Sequence, residues 1–217
     1  VLVWTLANGT LVQTIETGNP VTALALSDDN KVLLAAGADM HLRAYDPAEG
    51  ALLQDQLAAA PQGAVAFLPG GNDFVTAGST GTLFNWAFAS PVEVAGFTGH
   101  NAVYGVDLDS SGILAASCGA DNMIRLWNLE TGASVRQLAG HEGPVYSVRF
   151  SEDDTMLVSS SADGTVRVWN VEDGALVKSL AVPRAEGEAA LPVFDAEFSP
   201  DGQLVAAGGS EGTIQLW

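Results

Sequence analysis

The chain has 217 residues, 47% hydrophobic and 16% charged, which suits a folded chain with a substantial core and excludes a disordered one. Eight Lys and Arg stand against 26 Asp and Glu, and the net charge of −18 repels phosphate backbones and anionic membrane surfaces. Cys118 is the single cysteine, so an internal disulfide framework and a cysteine-based zinc site are both excluded, and no apolar run reaches the ~18 residues of a membrane span. What the acidity leaves open is a basic partner or plain solubility. Val1 is not an initiator methionine, so the natural N-terminus is expected upstream and targeting stays open. The cytoplasm is favoured over the periplasm or exterior.

One pattern governs the chain. An aromatic residue recurs at Trp4, Tyr45, Trp86, Trp127, Trp169 and Trp217, at intervals of 41, 41, 41, 42 and 48 residues. A fixed period of this size means one supersecondary unit stacked repeatedly. In chain order, "VLVW" at residues 1–4 reads as the end of a third strand and "TLVQTI" as a fourth. "VTALAL", "VLLAAG" and "HLRAYD" then alternate between Val21 and Asp46. "VAFLPGGNDFVTAG" and "TLFNWA" follow. "VYGVDL", "ILAASC" and "MIRLWN" lie between Ala102 and Asn128.

The clearest unit runs from Gly140. "VYSVRF", a polar turn at Ser151–Asp154, "TMLVSSS", a tight turn at Ala162-Asp163-Gly164, "TVRVWN", and a turn at Asp173-Gly174 into "ALVKSL" make four short strands. Short strands joined by turn residues, with no helical period competing, predict an antiparallel meander. "VFDAEFSPDGQLVAAGG" and "TIQLW" close the chain. The first strand of each unit reads as small and apolar. The expected units are a partial one at 1–16, full ones at about 20–56, 62–95, 102–138 and 144–180, and a partial one at 193–217. That makes 21 strands, and a third strand at either end would compete for one place in a closed ring. An open part of a larger ring is therefore expected.

These residues resemble the WD-repeat β-propeller family along the whole chain. "GH" stands at Gly99-His100 and Gly140-His141, "FSPDG" at Phe198–Gly202, and "ADGTVRVWN" at Ala162–Asn170. The resemblance implies an all-β fold of four-stranded antiparallel blades around a channel, part of a seven- or eight-bladed ring. It also implies a hydrogen-bonded set of His, Ser or Thr, Asp and Trp inside a blade. Two blades carry the whole set: His100, Ser117, Asp121, Trp127 and His141, Ser159, Asp163, Trp169. Elsewhere it decays: Tyr45 has Asp39 but Ala35, Trp86 has Thr76 but Thr80, and Trp217 has Glu211. Those blades are expected to rely on packing and backbone ladders. In this family the residue after the first position of the inner strand lies on the channel rim of the partner-binding face. Here that register holds Thr22, Gly63, Tyr104, Tyr146 and Phe194. The long interval adds a loop at Ala181–Pro192, with Arg184, on the same face; long loops on a rigid scaffold often carry function.

Catalysis finds little support. His100 and His141 read as structural members of their sets, and His41 as a surface residue without an acidic or cysteine partner at ligand spacing. No G-x-S-x-G, H-E-x-x-H, P-loop or C-x-x-C-H motif occurs. Glu152-Asp153-Asp154 lacks the alternating spacing of a calcium loop and reads as a solvated turn. No metal or cofactor is expected. The function expected is a non-catalytic scaffold presenting its rim to a protein or peptide, possibly basic, inside a larger assembly, with no nucleic-acid binding and no membrane insertion. The alternatives are a sensor or regulatory module joined to an enzyme or redox complex, and a propeller enzyme with carboxylates in its channel.

Overall fold

The computed structural model describes residues 1–71, 73–88, 92–183 and 189–217, with the backbone alone over 92–96. Among them are 21 strands and no helix. Strands β1 (Leu2–Trp4) and β2 (Leu11–Thr14) form a two-stranded sheet. Four four-stranded sheets follow. They are β3 (Val21–Leu26) to β6 (Leu52–Leu57) through β4 (Leu33–Gly37) and β5 (His41–Tyr45), then β7 (Gln62–Phe67), β8 (Phe74–Gly78), β9 (Thr82–Ala87) and β10 (Val92–Thr98). Next come β11 (Val103–Leu108), β12 (Leu114–Gly119), β13 (Ile124–Asn128) and β14 (Ser134–Leu138), then β15 (Val145–Phe150), β16 (Met156–Ser161), β17 (Thr165–Asn170) and β18 (Leu176–Ala181). Strands β19 (Val193–Phe198), β20 (Val205–Gly209) and β21 (Ile214–Leu216) make the last sheet. Every strand pairs antiparallel with its sequence neighbour, as meanders of β-branched and small residues should.

The innermost strands β3, β7, β11, β15 and β19 each pack against the next, so the sheets radiate as propeller blades. Among the described residues, five apolar clusters lie in the five gaps between successive sheets. One example joins Ile124, Leu126 and Leu138 of the third full blade to Val145, Val148, Leu157 and Trp169 of the fourth. Burial on both faces explains why the second strands read as continuous apolar runs: β4 and β8 are buried at every position. Outer strands such as β18 are mostly exposed.

Each tight turn between second and third strands has one residue in the left-handed region: Met40 (φ 68°), Gly81 (72°), Asn122 (66°), Gly164 (78°) and Gly212 (71°). Gly81 is doubly constrained, since a Cβ there would run into the His100 carbonyl of the next blade. The blades form an arc. Its end faces leave Leu2, Trp4, Ile214 and Leu216 between 53 and 77% exposed, and among the described residues no broad contact joins the first sheet to the last.

One expectation needs correction. The inner strands are not uniformly apolar, for Asp107, Arg149 and Glu197 occupy matching positions in β11, β15 and β19. Asp107 faces the next blade and accepts the Phe150 backbone N–H at 2.8 Å. Burial pushes its carboxyl up, and that N–H opposes the shift.

Candidate functional site

The five positions expected on the rim share one backbone feature. In every full blade and in the last sheet, the first-to-second strand ladder slips at the start of the inner strand. The slips fall between Val21 and Ala23, Gln62 and Ala64, Val103 and Gly105, Val145 and Ser147, and Val193 and Asp195. The skipped residues are Thr22, Gly63, Tyr104, Tyr146 and Phe194. A bulge leaves its extra residue out of the ladder and re-aims the side chain.

At three consecutive blades the re-aimed side chain is aromatic, and the rings touch. Tyr104 and Tyr146 have centroids 5.7 Å apart, and Tyr146 and Phe194 5.5 Å, both tilted. Tyr104 is 42% and Phe194 52% exposed, with Tyr146 half-buried between them. The row borders an open groove of about 320 Å³ that Gly63, Arg149 and Asp195 also line. Thr22 differs: its hydroxyl donates to the Gln62 carbonyl at 2.6 Å and so ties its blade to the next. Gly63 extends the groove without a side chain. Arg184 lies outside the described residues. The described ends of its loop sit over the turn of the fourth full blade, where the Val182 N–H donates to the Gly164 carbonyl at 3.2 Å. Leu191 there is 45% exposed.

The two hydrogen-bonded sets form as chains. Trp127 Nε1–H donates to Ser117 Oγ at 2.8 Å, Ser117 Oγ lies 2.8 Å from His100 Nε2, and His100 Nδ1 lies 2.8 Å from Asp121. Trp169, Ser159, His141 and Asp163 repeat this at 2.9, 2.8 and 2.8 Å. At His141 the network assigns the tautomer, with Nδ1–H donating to Asp163 and Nε2 accepting from Ser159, whereas at His100 Arg125 Nη1 also lies 2.7 Å from Nδ1. Burial pushes both histidines down, against the pull of their carboxylates, so they stay neutral. Burial alone would raise Asp163, but hydrogen bonds from Thr165, the Glu142 N–H and His141 outweigh it and hold the carboxyl at about 2. Both rings are enclosed and fully engaged, so neither is free to act as a base on a substrate.

Two contacts escaped the sequence reading. His41 Nδ1 lies 2.5 Å from Asp55 of β6. That partner is 14 residues away and adjacent only through the β5–β6 ladder. Asp39, without a histidine, takes Arg43 at 2.6 Å instead. Thr80 is exposed, and the Trp86 indole still donates to Thr76 Oγ1 at 2.9 Å.

The family described as WD domain, G-beta repeat, matches residues 9–46, 91–128, 132–170 and 182–217. The chain belongs to the WD-repeat family. Among curated proteins it is similar to Mitochondrial division protein 1 of Sclerotinia sclerotiorum, 34% identical over 128 residues, and to that of Pyricularia oryzae, 32% identical over 128. The Chaetomium globosum protein of the same name is 35% identical over 124. The matches cover 56 to 58% of this chain and 16% of each relative, so the chain spans about a sixth of their length. Residues 47–90 fall between family matches, and they hold most of the β7–β10 blade, where Thr80 stands at the tight-turn aspartate position and no histidine precedes it within the segment.

Proposed function

We propose that this WD-repeat chain is a non-catalytic interaction scaffold whose docking face is the rim carrying Tyr104, Tyr146 and Phe194. One observation carries the reading: three bulges on consecutive blades aim three aromatic side chains into one exposed, touching row. Aromatic anchors beside a groove are the usual centres of binding energy in protein interfaces. The blades supply rigidity, so a partner pays little to order the site. The WD repeats, with the similarity to proteins named for mitochondrial division, support protein partners within an assembly. The process those proteins are named for is not carried over to this chain, which spans about a sixth of their length.

The test is selection of short peptides from a displayed library on the whole chain, followed by titration against Tyr146→Ala. Selected peptides should weaken by about 1–2 kcal/mol while the melting transition stays in place. Peptides that bind the variant equally well would remove the aromatic row from the docking face.

A further inference from the structure

The aromatic row has a charged flank. Asp195 follows Phe194 directly, lines the same groove, and has a side chain 65% exposed. Its Oδ1 accepts its neighbour Ala196 N–H at 3.1 Å and lies 3.8 Å from Arg149. Glu197, two residues on in β19, is also exposed. Arg149 is the one basic side chain lining the groove among the described residues, and its guanidinium already donates to the Val148 carbonyl at 3.0 Å. The groove therefore pairs the electron-rich faces of touching rings with the Asp195 carboxylate, on a chain of net charge −18. Aromatic faces attract cations through their quadrupole, guanidinium groups above all, and a carboxylate at the ring edge adds to that attraction. An acidic surface also steers a basic segment toward itself.

We propose that the segment docking on this rim presents an arginine or lysine side chain, laid against the Tyr146 and Phe194 rings with its charge beside Asp195. The inference rests on the docking face argued above and adds the chemistry of its partner. A cationic stem lies along the rings while its head reaches the carboxylate, as long basic side chains do on apolar surfaces. An acidic segment would meet the exposed Asp195 carboxylate in the groove, with Arg149 alone to receive it.

The test uses the whole chain and four capped seven-residue peptides that differ only in the central residue: arginine, norleucine, glutamine or glutamate. Binding is read by NMR shift titration at low and at physiological salt. The arginine peptide should bind about fivefold or more tightly than the glutamine peptide. Asp195→Asn should erase most of that preference, Tyr146→Ala should weaken the arginine peptide, and salt should narrow the gap. Equal binding of all four peptides, still weakened by Tyr146→Ala, overturns the cationic inference and keeps the docking face. Tightest binding of the glutamate peptide also overturns the inference and points to Arg149 instead. Binding that ignores Tyr146→Ala overturns both, as does no binding by any peptide. Asp195→Asn is exposed enough to leave the melting transition unchanged, which separates lost charge from lost fold.

Discussion

The first half of the arc and the second half build the same four-stranded blades by different means. In the second half, β11–β18, two buried chains of tryptophan, serine, histidine and aspartate tie the third strand to the second and to the turn above it. In the first half, β3–β10, those chains are broken. At Trp86 the arginine position two residues before the tryptophan, held by Arg125 and Arg167 in the other half, is Phe84. Phe84 and Phe74 pack on Trp86 at 6.2 and 6.1 Å, and Phe67 meets Phe74 edge-on at 6.1 Å. Aromatic packing thus stands where a polar network stands elsewhere. Buried polar chains stabilise only when every member is satisfied, so a blade that loses its histidine gains by turning apolar. The blade architecture follows from strand pattern and stacking, and the signature set is one of two ways to secure it.

The sharpest way to break this comparison is Phe84→Ala. Phe84 is 8% exposed and lies in the cluster between the first two full blades. Truncating it should cost about 3–5 kcal/mol in denaturant unfolding. A loss under about 1 kcal/mol would mean the aromatic cluster does not replace the polar one. The next test sets Asp163→Ala beside Thr80→Ala, at matching turn positions in the two halves. Asp163 accepts from His141, the Glu142 N–H and Thr165, and its removal leaves buried partners unpaired, so a loss of about 1–3 kcal/mol is expected. Thr80 is exposed in a blade without the histidine, and its change should stay within about 0.5 kcal/mol. Equal midpoints for the two variants would show that the polar set contributes nothing.

Acid should separate the halves further. His141 is pushed below its ordinary value by burial, so the unfolded chain takes up the proton first and stability falls as pH drops below about 6.5. Asp163, held at about 2 in the fold, contributes stability that is complete above the ordinary carboxylate range and is lost as pH falls from about 4 through 2. The blade β7–β10 has no such set. Opening free energies from amide exchange, compared between pH 7 and pH 5, should fall in β16 and β17 and hold in β8 and β9. Parallel declines in both blades would contradict the neutral, enclosed histidine.

Much of this was legible in the chain. The 41-residue period and the turn residues carry the all-β blade fold, because backbone alternation and tight-turn chemistry are local properties. The shared register of Tyr104, Tyr146 and Phe194 was legible too, since each follows the first residue of an inner strand. The bulge that re-aims them was not, for it is a mismatch between two strands and leaves no mark on one. The same limit hid the His41–Asp55 pair and the ring contacts, whose partners stand 14 to 48 residues apart. Phe84 in place of an arginine was visible as a residue, but its role depends on Phe74 across a ladder and on the neighbouring blade.

The one expected gain also lies in the first half. Of the five left-handed positions in the second-to-third strand turns, three are glycine and one is asparagine, the residues that tolerate positive φ. The fifth is Met40, at φ 68° and 39% exposed. A Cβ in that region crowds the backbone at roughly 1–2 kcal/mol, while a glycine there gives the unfolded chain extra freedom that takes back part of the difference. The exposed side chain contributes little burial to offset the crowding. Met40→Gly should therefore stabilise the chain by about 0.5–1 kcal/mol, read as a raised denaturant midpoint at unchanged slope. Gly164→Met, the same exchange in the second half, should reverse the sign and lose more, because a Cβ there would stand 2.9 Å from Ala190 Cβ. If Met40→Gly lowers the midpoint, the methionine side chain holds its turn through packing that outweighs its backbone, and the first half is better adapted than its broken sets suggest.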